Sequence, residues 1–129
     1  MAWQRRIREV LESHELTHVQ FVLLASLWWL VDHDDHSLTQ AQLAQQAGTD
    51  PMMTSQVTRK LETRGLLERA QDPTDSRARR LRLTAAGRAL VTRALSDVEA
   101  ADEEYFAALG SQRESFIRAL RTLEAAPVP

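Results

Sequence analysis

The chain has no cysteine among its 129 residues, which excludes disulfide bonds, thiolate metal sites and thiol-based redox sensing. Glycine and proline are scarce, with four of each, and this favours helices over an all-β fold. The longest apolar run, Phe21–Val31, is interrupted by Ser26 and is too short to span a bilayer. The charged N-terminus lacks the apolar core of a signal peptide. We therefore expect one cytoplasmic domain with no membrane contact.

Positive charge is concentrated in one part of the chain. Residues 54–93 contain ten basic and four acidic side chains, a net charge of +6, whereas the rest of the chain carries −8. Such segregation attracts phosphate to one face and discourages non-specific binding elsewhere. The alternative is a solvated charged surface without a binding role.

Periodicity and capping signals predict an α+β chain that is mostly helical. Capping boxes are expected at Thr17, Thr39 and Ser111. In the helix that follows Asp50-Pro51, the spacing of Met53, Val57 and Leu61 predicts that these three form the buried face. Helices are predicted over residues 2–13, 17–31, 39–47, 50–64, 84–109 and 111–124, and short strands over 66–70 and 80–83.

Residues 39–64 are predicted to form two helices joined by a tight turn at Gly48, the pattern of a helix-turn-helix. The second helix presents short polar side chains and an arginine, which suit base edges and phosphates in a major groove. An ordinary amphipathic surface helix is the alternative. The side chains expected to contact DNA in this region are Thr39, Thr54, Ser55, Gln56, Thr58, Arg59, Lys60 and Arg64.

The two predicted strands form a hairpin whose tip is rich in arginine. Arg77 could enter a minor groove, whose negative potential attracts a long cation. Asp75 could hold that guanidinium in a fork-shaped pair, or it could be only a turn residue. Arg79, Arg80 and Arg82 are expected to contact phosphates.

These motifs resemble the MarR family of winged helix-turn-helix regulators over roughly residues 14–95. The resemblance is carried by the entry Leu16-Thr17-His18-Val19-Gln20-Phe21, by Leu38-Thr39-Gln40, by the run Leu61–Arg69, and by Asp72, Asp75, Arg77, Leu83-Thr84 and Gly87. It implies a homodimer whose recognition helices enter successive major grooves and whose wing arginines enter the flanking minor grooves. The absence of cysteine excludes the peroxide-sensing branch of the family.

The resemblance implies that dimerisation helices occupy residues 1–16 and 84–129, and that the winged helix-turn-helix occupies residues 17–83. The apolar stripes of the terminal helices are longer than one small winged domain needs, and a second copy would bury the excess. Alternatively, these helices fold back on their own core.

Members of the family often bind small lipophilic or phenolic molecules between the dimer helices and the winged domain. For such an aromatic or lipophilic effector, the candidate residues are His14, His18, Trp28 and Trp29. Tryptophans at helical spacing also suit a core or an interface, so this alternative stays open.

Neither a metal site nor an active site is expected. The contiguous loop Asp32–His36 contains metal-ligand residue types, but its side chains would point in different directions. No nucleophile elbow, phosphate loop or metalloprotease helix is present in the sequence. We therefore expect a dimeric, sequence-specific DNA-binding regulator that represses transcription and needs no cofactor. The alternatives are a winged-helix protein-interaction module without DNA binding and a small metalloenzyme.

Overall fold

The computed structural model of the protein describes residues 2–31 and 37–125. Within these residues, six α-helices and three short strands are arranged as an α+β fold. In chain order they are α1 (Ala2–Ser13), α2 (His18–Val31), β1 (Leu38–Thr39), α3 (Gln40–Ala47), α4 (Pro51–Thr63), β2 (Leu67–Gln71), β3 (Arg79–Leu83), α5 (Ala85–Phe106), a 3₁₀ segment (Ala107–Gln112) and α6 (Arg113–Ala125).

The sheet is antiparallel, with β3 between β1 and β2. Leu81 on β3 lies opposite Arg69 on β2 and opposite Leu38 on β1. The hairpin strands match the prediction to within one residue, whereas β1 was not predicted, since two residues are too few for a pattern.

The core lies where α2 packs against α3, α4, α5 and β3. The apolar sequence of α2 explains its central place, because a helix that is apolar on most sides must be covered on most sides. None of the described helices is both long and apolar enough to cross a bilayer. The core side chains with no exposed surface are Leu24, Leu27, Leu43, Leu61, Leu81, Val91 and Ala94.

Capping explains where most helices begin. Thr17 and Gln20 form a capping box, with reciprocal hydrogen bonds of 3.0 and 3.2 Å. Thr84 caps α5 by accepting a hydrogen bond from the amide of Gly87. The box predicted at Ser111 is wrong, because α6 begins at Arg113 without it. A backbone turn at Gly110, with φ 54° and ψ −123°, separates α5 from α6 instead.

Candidate nucleic-acid interface

A tight turn joins α3 to α4. Thr39 forms the predicted capping box with Gln42 at the start of α3, and Gly48 ends this helix at φ 67°, a conformation that favours glycine. Asp50 then accepts a hydrogen bond from the amide of Met53, which starts α4. Since each signal is local, the sequence alone determines where this helix-turn-helix begins and turns.

The buried face of α4 matches the predicted one only in part. Thr54, Thr58 and Leu61 have no exposed surface, whereas Met53 is 37% exposed and Val57 is half-buried. The prediction that Met53 lies on the buried face is therefore wrong.

The buried threonines of α4 are already hydrogen-bonded inside the protein. The Thr54 hydroxyl donates to the Asp50 carbonyl at 2.8 Å and lies 2.7 Å from the Thr49 hydroxyl. The Thr58 hydroxyl lies 3.0 Å from Oε1 of Gln40 on α3. The expectation that Thr54 and Thr58 contact DNA is therefore corrected: both hold α4 in place.

The opposite face of α4 is open to solvent. Gln56, Arg59 and Lys60 are exposed, and Ser55 is half-buried. Met52, which the sequence reasoning missed as a site residue, is 72% exposed. The one sequence signal for its exposure is that this apolar residue shares a helix face with polar residues.

A buried carboxylate organises the wing, the loop between β2 and β3. Asp72 is 6% exposed, and its Oδ1 accepts hydrogen bonds from the amide and the hydroxyl of Thr74 at 2.8 and 2.7 Å. These two bonds, together with the charge of Arg80, lower the pKa of Asp72 below its usual 3.8 although burial opposes them. Asp72 was also missed as a site residue, although the Asp-Pro pair marked the turn.

Arg80 is the other half of this arrangement. Its Nε lies 2.9 Å from Oδ2 of Asp72, and its Nη1 donates to the Ser37 carbonyl at 3.0 Å. Its guanidinium therefore joins the wing to the segment before β1, and a phosphate contact by Arg80 stays a prediction.

The wing tip presents Arg77 to solvent. Its side chain is 94% exposed, and its Nε lies 3.7 Å from Oδ1 of Asp75. That same oxygen accepts the Arg77 amide at 3.0 Å. The predicted fork-shaped pair is not formed, since 3.7 Å is longer than a hydrogen bond; Asp75 shapes the turn, and the Arg77 side chain stays exposed to solvent. Arg79 is also exposed.

A groove connects the wing to the helix-turn-helix. Its volume is about 420 Å³, and it is lined by Arg77 and Arg79 of the wing, by Gln40 of α3 and by Pro51 at the start of α4. The wing tip and the first turn of α4 therefore border one concave surface.

Two further residues of the predicted interface have structural contacts. The side chain of Thr39 is committed to the cap of α3. Arg64 follows the end of α4, and its Nη1 donates to the carbonyl of Glu15 at 2.8 Å. Arg64 thus links the recognition-helix end to the segment between α1 and α2.

Comparison with known proteins identifies the family. The model of the MarR family matches residues 16–78. The uncharacterised HTH-type transcriptional regulator YdcH of Bacillus subtilis is 42% identical over 122 residues, covering 95% of this chain and 82% of that protein. The chain belongs to the MarR family. It is a DNA-binding transcriptional regulator with a winged helix-turn-helix fold.

Other MarR-family relatives agree. The HTH-type transcriptional repressor Rv2887 of Mycobacterium tuberculosis is 37% identical over 109 residues, covering 84% of this chain and 75% of its own. Its crystal structure superposes with a TM-score of 0.71 over 96% of this chain and 86% of that one. A mutant of Escherichia coli MarR, solved with operator DNA, has a TM-score of 0.78 at 21% identity, over 97% of this chain and 86% of that one. The last likeness concerns the fold alone.

The four predicted effector residues of this MarR-family chain lie at different places along α2 and just before it, and their role in ligand binding stays a prediction. His14 lies 2.6 Å from Asp97 of α5. His18 begins α2 and Trp28 lies ten residues later, about 15 Å along the axis at 1.5 Å per residue. Trp29 is 67% exposed and borders a shallow depression between α2 and α3. The loop Asp32–His36, weighed as a metal site, lies outside the described residues.

The terminal helices of this MarR-family chain carry uncovered apolar surface. No residue of α6 is buried. A cavity of about 620 Å³ between α5 and α6 is lined by Tyr105, Phe106 and Phe116 among others. The exposed large apolar side chains of these two helices are Tyr105, Phe116, Ile117, Leu120 and Leu123.

Proposed function

We propose that this chain acts as a homodimeric, ligand-responsive repressor that binds a pseudo-palindromic operator. The recognition helix α4 of each protomer enters a major groove, and each wing enters the flanking minor groove. Half-sites lie about one helical turn apart, ~10 bp centre to centre. A cytoplasmic location stays a prediction that this role requires.

The observation that carries the proposal is the shared surface of α4 and the wing. Gln56 and Arg59 are exposed on α4, and Arg77 extends from a wing that borders the same groove as the start of α4. Glutamine can pair with adenine and arginine with guanine in the major groove. An exposed arginine on a wing suits the narrow, negatively charged minor groove.

The exposed cations divide into two roles. Lys60 and Arg79 are proposed to contact phosphates, which position the protein without reading sequence. Ser55, half-buried beside Gln56, borders the base-reading face. Arg64 and Arg80 hold parts of the domain together through their contacts with Glu15 and Asp72.

A dimer is supported by the terminal helices. Because α6 buries none of its apolar residues within the protomer, a symmetric partner that covers the same face would remove that surface from water. The boundaries proposed for this division are residues 1–16 and 84–129 for dimerisation and 17–83 for DNA binding.

An effector is proposed to act by changing the relative position of the two α4 helices in the dimer. A small aromatic or lipophilic molecule that binds one arrangement of the dimer better than another shifts the population toward it. An arrangement that moves the two α4 helices out of register with successive major grooves has lower DNA affinity. No cofactor and no catalytic step are proposed.

The proposal is tested by selecting bound fragments from a random duplex pool and then measuring salt-dependent affinity. Arg77→Ala is expected to weaken operator binding and to reduce the slope of log affinity against log salt by about 1. Gln56→Ala is expected to cost ~1–3 kcal/mol and to relax sequence preference at one position. Arg93→Ala removes the same charge from an exposed position on α5 and serves as the matched control.

Two outcomes would contradict the proposal in different ways. Equal operator affinity of the wild type and Arg77→Ala would remove the wing from the interface. A protein that retains no duplex from the pool would favour the alternative of a protein-interaction module without DNA binding.

A further inference from the structure

Met52 is the most exposed large apolar residue of the winged region. Its exposed fraction is 72%, and it is the second residue of α4, directly after Pro51. The cap at Asp50 fixes the first turn, so the direction of this side chain is set by the helix. In helix-turn-helix proteins the leading residues of the recognition helix contact base edges.

Helix geometry places Met52 on the solvent-exposed face of α4. Residues four and seven positions later, Gln56 and Arg59, share its face because a helix has 3.6 residues per turn, and both are exposed. Thr54 and Thr58, which have no exposed surface, mark the opposite face. Met52 therefore projects beside the two side chains proposed to read bases.

A methionine in this place has one chemically matched target. The C5-methyl group of thymine is the apolar feature of the major groove, and a flexible, polarisable thioether adapts to such a small apolar surface. Its neighbours Gln56 and Arg59 are polar or charged, which suits nucleic acid better than an apolar protein partner.

We propose that Met52 is a specificity-determining residue that reads the methyl group of a thymine in each half-site. This inference rests on the proposed function. It adds an apolar contact to the polar readout by Gln56 and Arg59, and it requires a T·A pair at a fixed distance from the bases that those residues contact.

Replacing thymine by uracil tests the contribution of the methyl group alone, because uracil differs from thymine only in lacking the C5-methyl group. In the operator selected with the wild-type protein, symmetry-related thymines are replaced by uracil, one pair at a time. For one pair, wild-type affinity is expected to fall by about three- to tenfold per half-site, the range expected for one buried methyl group.

Variants then assign that effect to a side chain. Met52→Ala and Met52→Gln are expected to bind the thymine and uracil operators equally, because neither keeps the apolar contact. Met53→Ala removes the neighbouring methionine, which is 37% exposed and lies about 100° away around the helix. It is expected to keep the wild-type preference for thymine.

The possible outcomes test the role of Met52 separately from the proposed function as a DNA-binding repressor. If uracil costs the same affinity at every pair in the wild type and in both Met52 variants, the methyl-reading role is overturned, while binding that depends on Arg77 and Gln56 still supports the repressor. If no duplex is retained by the wild type, the proposed function fails and the inference fails with it. Circular dichroism tests whether each variant is folded. If Met52→Ala does not fold, Met52→Gln, which keeps the side-chain length, still tests the inference.

Discussion

The winged region and the terminal helices differ in how much of their apolar surface one chain covers. Within α4 the face formed by Thr54, Thr58 and Leu61 is fully buried, whereas in α6 no residue is buried and Leu123 is 71% exposed. One chain therefore covers this face of α4 and leaves α6 uncovered. The difference is what the proposed dimer requires: each protomer builds its own DNA-binding surface, and a second copy would cover α6.

The two regions also differ in their polar contacts. In the winged region, Thr58 and Asp72 are buried with hydrogen-bond partners from other elements or from the same loop. Between α1 and α5 the polar contacts are partly open to solvent, such as the hydrogen bond of 2.8 Å from the Trp3 indole to Asp102. Buried bonds define a single packing more strictly than exposed ones, which suits a region that must hold side chains in register with bases.

The largest expected effect is that of Leu120→Asp on the stability of the proposed dimer. Leu120 is 46% exposed on α6, and a symmetric dimer that covers this face would have to bury one introduced carboxylate from each protomer. Burying each charge costs several kcal/mol, so the dimer dissociation constant is expected to rise by more than about 100-fold, equivalent to ~2.7 kcal/mol. Sedimentation velocity over a concentration series measures it.

Arg118→Ala is the control for that measurement, since Arg118 is exposed and lies two residues from Leu120, on the opposite side of α6. It is expected to leave the dimer intact. A Leu120→Asp protein that sediments as the wild-type dimer would show that α6 does not form the interface.

A smaller effect is expected from Thr58→Val inside the winged region. Valine keeps the volume but leaves Oε1 of Gln40 without the hydroxyl that now lies 3.0 Å away. The free energy of unfolding is expected to fall by about 1–2 kcal/mol, while operator affinity of the folded protein stays unchanged. Urea denaturation and gel-shift titration measure the two quantities.

The matched control is Thr63→Val, at an exposed position near the end of the same helix, with an expected change in stability within about 0.5 kcal/mol. A large loss of operator affinity in Thr58→Val without loss of stability would return Thr58 to the DNA-contacting set.

The smallest effect concerns the pH dependence of stability. The pKa of Asp72 is lowered in the folded protein, so its charged form stabilises the fold above the ordinary pKa, and this contribution disappears as pH falls through the lowered value. Asp72→Asn is expected to lose less stability than the wild type between about pH 5 and pH 3. Urea midpoints across this range test it; identical pH profiles would contradict it.

Local signals predicted most of the fold. The caps at Thr17, Thr39 and Asp50 and the glycine stops determine where helices begin and end through hydrogen bonds within a few residues, so they can be read without tertiary knowledge. The same holds for the arginine-rich hairpin, whose turn residues lie next to each other in the chain.

Tertiary packing explains what the sequence could not predict. Hydropathy assigns Met53 to the core and Thr58 to solvent, but the small threonine fits between α3 and α4 and finds Gln40, eighteen residues away, as a partner. The sequence likewise could not show that the fold brings Asp72 and Ser37 to the guanidinium of Arg80. Which polar side chains remain available at the site therefore depends on partners distant in sequence.

The start of α5 meets the winged region through Gly87. A Cβ atom on Gly87 would lie 1.8 Å from the carbonyl oxygen of Leu66, and the Thr84 hydroxyl donates to the Gly65 carbonyl at 2.6 Å. The start of α5 therefore packs tightly against the base of the hairpin, and position 87 has no space for a side chain larger than that of glycine. Any side chain at position 87 would therefore push α5 away from the base of the hairpin, because the atom it meets is a backbone carbonyl oxygen that cannot rotate aside.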